Sequence, residues 1–169
     1  MALDTQQREL SRELEENCRL LVEALGDAPD LVRRYLWLGR SRKAQALVLA
    51  LSGLYDPGFV SEHVVRPISA LANEATITRT NAADHVVMAL NAATDVEETS
   101  SLKAVIHHLL RGLTIVLVDG SDRAIVVGSA APPERGLMEP ESEALVRGPR
   151  DGFNELLSTT IALVRQRVR

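Results

Sequence analysis

Leu31-Val32-Arg33-Arg34-Tyr35-Leu36-Trp37-Leu38, then the turn Gly39 to Lys43, then Ala44-Gln45-Ala46-Leu47-Val48-Leu49-Ala50-Leu51, decide how this chain is built. The first run partly alternates apolar and polar residues, as a half-buried strand does. The second is almost continuously apolar, which suits a central strand covered on both faces. A polar, glycine-containing link between them predicts a hairpin.

Working outward, the residues before the hairpin have helical spacing. Leu10, Leu14, Cys18, Leu21 and Leu25 fall on one face, with Glu9, Arg12, Glu13, Glu16 and Arg19 on the others. Gly26 stops this helix, and Asp27-Ala28-Pro29-Asp30 forms the break. After the hairpin, Asp56-Pro57 opens a second helix, with Asp as the cap and Pro in the first turn. Phe59, Val60, Val64, Ile68 and Leu71 give its apolar face, and Pro67 should kink or end it.

The stretch from Asn73 to Thr99 is rich in Ala, Thr and Asn and is expected to be a connection. Asp84 to Leu90 within it suits a short strand or a helix. A second block then begins. Leu102, Val105, Ile106, Leu109 and Leu110 follow helical spacing, and Arg111-Gly112 ends that helix. Leu113 to Val118 is a short apolar strand, Asp119-Gly120-Ser121-Asp122 a turn, and Ala124 to Val127 the returning strand. Ala130 to Pro149 suits a loop or arm. Phe153, Leu156, Leu157, Ile161, Val164 and Val168 mark a last amphipathic helix. The expected class is therefore α/β (α+β), as two small subdomains, each a short sheet or hairpin packed with helices. Residues 1–75 form the first, 76–99 the connection, and 100–169 the second, for which truncation is an open expectation.

Composition narrows the function. The 169 residues carry 19 Lys+Arg and 23 Asp+Glu, for a net charge of −4. That disfavours a nucleic-acid partner, as do aromatics at 3%. The single cysteine, Cys18, excludes an intramolecular disulfide and any zinc site built from several cysteines. The longest nearly apolar run, Ala44 to Tyr55, is well short of the roughly 20 residues a membrane-spanning helix needs. A soluble piece is expected.

Few residues invite chemistry. Asp119-Gly120-Ser121-Asp122 could hold a divalent cation, but Asp-Gly is what a tight turn needs, and no further oxygen ligands can be nominated. His107 and His108 are adjacent on a helix and point about 100° apart, so they do not readily share a metal. His63 and His85 stand alone. No phosphate loop, nucleophile elbow or metalloprotease helix is present. No catalytic residue, metal or cofactor is assigned.

The distinctive segment is Glu139-Pro140-Glu141-Ser142-Glu143-Ala144-Leu145-Val146-Arg147-Gly148-Pro149-Arg150-Asp151-Gly152-Phe153. Arg147 and Arg150, next to a helix start, could capture a carboxylate or phosphate. They could equally pair internally with Glu139, Glu141 or Glu143 and brace the arm, which is the reading we prefer. Gly148, Pro149 and Gly152 then shape a sharp entry into the helix. Arg165, Arg167 and Arg169 suit the C-terminal end of a helix, or an anionic membrane surface nearby.

The run Val146 to Phe153, with Glu139 to Ala144 before it, resembles the signature of the A subunit of spore germinant receptors, the GerA family. Asn154-Glu155-Leu156 and Thr160 to Arg165 fit the same pattern. So do Thr114 to Ser121, Arg42-Lys43-Ala44, Gly53 to Asp56 and Glu62 to Pro67. The resemblance covers roughly Asp30 to the end. It implies a soluble N-terminal region of two small α/β subdomains ahead of membrane-spanning segments. It also implies B and C subunit partners, a place in the spore inner membrane, and nutrient sensing without enzymatic activity. The family's soluble region runs past the last helix here, so we expect an excised piece joined to the membrane through the missing C-terminal part. An exposed edge or apolar patch, and homo-oligomers of the isolated piece, would follow. The alternative is a module that binds a small anion or nutrient in the cleft between subdomains. A third possibility is an enzyme using Asp119, Asp122 and a histidine.

Overall fold

The computed structural model describes residues 8–91 and 96–130. Its hub is the anticipated hairpin: β1 (Leu31–Leu38) and β2 (Ala44–Leu51) pair antiparallel from Leu31↔Leu51 to Leu38↔Ala44. The second hairpin is formed by β4 (Thr114–Val118) and β5 (Ala124–Val127). The two do not stay apart. The free edge of β2 accepts β4, with Leu47 opposite Leu117, and one five-stranded antiparallel sheet results, in the order β1-β2-β4-β5-β3, where β3 is Val96–Thr99.

The outer strand β3 (Val96–Thr99) pairs with β5, and helix α4 (Ala82–Asn91) precedes it. Both lie in the segment expected as a connection. Of the two conformations considered for Asp84 to Leu90, the helix is adopted. Val86 and Leu90 are fully buried, at the four-residue spacing of one helical face.

Each face of the sheet buries its own core, as the period-two alternation of strand side chains dictates. Leu47, Leu49 and Leu51 of β2, with Ile115 and Leu117 of β4, pack under α1 (Leu14–Ala24) and α5 (Leu102–Leu110). Ala44, Ala46 and Val48, with Val116 and Val118, pack under α2 (Pro57–Val60), α3 (Arg66–Ala70) and α4. β2 reads as an unbroken apolar run because helices cover it on both sides. The mixed α/β class expected from the sequence is borne out.

Local signals explain the ends of the helices. The Asp56 carboxylate accepts the N–H of Phe59 at 3.0 Å, and the Ser101 hydroxyl accepts that of Ala104 at 3.3 Å. Pro67 does not break its helix. The turn before it, Ser61–Val65, widens into a π-helix in which the Arg66 N–H reaches the Ser61 carbonyl. A proline removes one ladder donor and crowds the carbonyl four residues back, and a widened turn relieves that crowding. Helix α1 begins at Leu14 instead of Leu10. The backbone at residues 8–10 is diverted to pair with residues 100–102, the Leu10 N–H donating to the Ser100 carbonyl at 2.8 Å. Buried Asn17 holds this detour through two hydrogen bonds with the Ser11 backbone, at 2.9 and 2.6 Å.

Candidate functional site

Arg147, Gly148, Pro149, Arg150, Gly152, Glu141 and Glu143 lie outside the described residues. Within those residues, the densest gathering of charge surrounds the β4–β5 turn. Asp119-Gly120-Ser121-Asp122 is a hairpin turn, as the Asp-Gly pair predicts. The Ser121 N–H donates to the Val118 carbonyl and the Arg123 N–H to the Ser121 hydroxyl, both at 3.1 Å. The Asp119 N–H reaches back to the Gln45 carbonyl at 2.8 Å, extending the contact of β4 with β2.

Arg79, in the loop before α4, grips this turn. Its guanidinium donates two hydrogen bonds to the Asp119 carboxylate, at 2.9 and 3.1 Å, and one to Glu13 at 2.8 Å. Hydrogen bonds to Asp119 first, then Glu13, push its pKa still further above the usual arginine range. The planar fork suits a carboxylate gripped by two donors at once. One side chain therefore joins the loop before α4, the start of α1 and the end of β4. Two further arginines complete the corner. Arg12 lies 3.6 Å from Asp122, and Arg123 contacts Asp84 at 3.3 Å and Glu98 at 2.8 Å. Asn81 shapes the Arg79 loop: its side-chain oxygen accepts the Thr78 N–H at 2.7 Å and its amide donates to the Thr76 carbonyl at 3.1 Å.

A surface pocket of about 160 Å³ opens here, lined by Arg12, Arg79, Thr80, Asp84 and the Gly120-Ser121-Asp122 part of the turn. Each of its arginines is already matched to a carboxylate. Asp119 is hydrogen-bonded to Arg79, and Asp122 lies 3.6 Å from Arg12, so each carboxylate of the turn already faces a cation. Among the described residues no group of three or more His, Cys, Asp or Glu could hold a metal ion. No histidine lines the pocket. His63 lies against Phe59 with ring centres 4.7 Å apart and the planes tilted by 43°, His85 is on α4, and His107 and His108 sit on α5 across the sheet. Among the described residues, no histidine therefore shares this pocket with Asp122, as an enzyme using Asp119, Asp122 and a histidine would need. What the corner can do is hold three segments of chain in register.

No sequence signal singled out Arg79. It is a lone cation among Thr and Asn, and its partners are 66 and 40 residues away. The Asp-Gly turn was legible, but what docks on it was not.

The comparisons with known proteins match this architecture. The family described as Bacillus/Clostridium GerA spore germination protein matches residues 19–169. The chain belongs to the GerA family. Spore germination protein GerLA of Bacillus cereus is 32% identical over 163 residues, covering 95% of this chain and 32% of the relative. Spore germination protein KA of Bacillus subtilis (strain 168) is 25% identical over 160 residues, covering 95% of this chain and 29% of the relative. This GerA-family chain thus spans about a third of the length of those curated relatives. Its fold is that of the N-terminal domain of the A subunit of the Bacillus megaterium spore germinant receptor GerK3. The TM-score is 0.72 at 19% identity, over 94% of this chain and 56% of that one. Among the described residues, no helix is long and apolar enough to cross a membrane.

Proposed function

We propose that this chain is a non-catalytic domain of a germinant-receptor A subunit, serving nutrient sensing, receptor assembly and signalling in the spore inner membrane beside B and C subunits. The observation that carries this reading is the family match across residues 19–169. The ion-paired corner supports it as well, because its charged groups are spent on internal pairing. In the same reading, Arg147 and Arg150 brace the Gly148-Pro149 elbow against Glu141 and Glu143.

The test is made in spores carrying the full-length parent protein. Arg147→Ala and Arg150→Ala should slow nutrient-triggered germination several-fold, while the 169-residue chain keeps its circular dichroism spectrum. Unimpaired germination at a normal receptor level would count against the role given to this elbow.

A further inference from the structure

The β1–β2 hairpin is charged in one sense. Between Leu31 and Tyr55 the sequence holds Arg33, Arg34, Arg40, Arg42 and Lys43 and no acidic residue, in a chain of net charge −4. All five cations are exposed. None of them makes an ion pair with a described carboxylate, whereas Arg8, Arg12, Arg66, Arg79 and Arg123 each do. Acidic Asp30 and Asp56 stand at the base of the hairpin, and the cations lie along it toward the tip.

Among the described residues, two of the three large exposed hydrophobic side chains are on the same strand. Tyr35 is 41% and Trp37 48% exposed, and both project, with Arg33, from one face of β1. Trp37 also lines a shallow pocket of about 270 Å³ with Arg40, Arg42, Ser69 and Asn73. The tip that presents them is held in place. The Gly39 N–H donates to the Leu71 carbonyl at 3.1 Å, and that of Arg40 to the Glu74 carbonyl at 2.9 Å.

We propose that this hairpin tip docks on a bilayer containing anionic phospholipid, with Arg40, Arg42 and Lys43 at the phosphates and the Trp37 indole in the headgroup layer. Exposed cations that pair with no described carboxylate, beside an amphipathic indole, have the composition of a membrane interface, where aromatic rings settle at headgroup level and basic side chains meet negative lipid. A site for a buried strand of an acidic protein would expose a row of apolar side chains. Here Arg33 and Arg34 interrupt that row. The inference rests on the hairpin alone and stands or falls apart from the receptor reading.

Trp37 is the chain's one tryptophan, so its emission reports on the hairpin without labelling. The 169-residue chain is mixed with vesicles of phosphatidylcholine alone, or of phosphatidylcholine with phosphatidylglycerol. Binding is read by sedimentation and by Trp37 fluorescence. Sedimentation with the anionic vesicles only, a blue shift of Trp37, and release by salt are expected. Each removed charge should weaken partitioning about five-fold. Arg40→Gln with Lys43→Gln is therefore expected to lower it by more than ten-fold, and Arg40→Glu with Lys43→Glu further still. Circular dichroism confirms folding, and Trp37→Ala provides a variant independent of charge, expected to weaken sedimentation several-fold.

Several results would overturn the proposal. They are no binding to anionic vesicles, binding without a Trp37 shift, binding unchanged in the glutamine variant, and capture by polyglutamate while the vesicles stay unbound. Inorganic phosphate should compete no better than chloride at equal ionic strength. Stronger competition would replace the bilayer with a soluble phosphate as the occupant.

Discussion

Gly120 adopts φ +86° at the turn that Arg79 grips, and a Cβ there would collide with the Arg79 carbonyl oxygen. Its own N–H donates to the Arg12 carbonyl at 2.9 Å, so the backbone cannot shift without loosening the start of α1. Gly120→Ala should cost about 2 kcal/mol or more, since the left-handed conformation and the contact both resist it. Urea unfolding checks this, and a loss under about 0.5 kcal/mol, the range of neutral surface substitutions, would show the corner to be loose. At this scale the turn was legible, because Asp-Gly carries its own backbone requirement. Arg79 was not, because a guanidinium can meet any carboxylate the fold delivers.

Among the elements, capped helices follow their local code. The Asp56 carboxylate and the Pro57 ring start α2 together. Asp56→Ala should therefore destabilise the chain by about 1 kcal/mol, read as a lower denaturant midpoint with an unchanged slope. No change in midpoint would mean that packing of Val60 and Val64 alone holds this turn. The effect of Pro67 was legible only in part. Loss of its N–H follows from the residue, but whether the helix kinks, stops or widens depends on what packs beneath it. Fully buried Val64 and Ile68 keep the segment on the sheet, so it widens. Helix α1 starts one turn later than the spacing of Leu10 predicts, because Leu10 is buried through the backbone pairing of residues 8–10 with 100–102.

For the whole molecule, the deciding contact is the β2–β4 seam. Leu47 and Leu117 face each other across it, with 0% and 1% of their surface exposed. Leu47→Ala in the first hairpin and Leu109→Ala in α5 should each cost about 2–5 kcal/mol. Both should move one common unfolding transition, because a shared sheet couples the halves. Two separable transitions by circular dichroism and calorimetry would show that the seam does not unite them.

The sequence by itself determined the strands of both hairpins, most helices, the β4–β5 turn and the family, since each depends on spacing or on a local run of residues. Only the tertiary structure decided that the hairpins share a sheet, that Ala82–Asn91 and Val96–Thr99 supply a helix and an edge strand, and that Arg79 clasps the turn. Hydrogen bonds across a strand edge and ion pairs between distant loops carry no sequence period. They are settled by which surfaces meet once the apolar faces are buried.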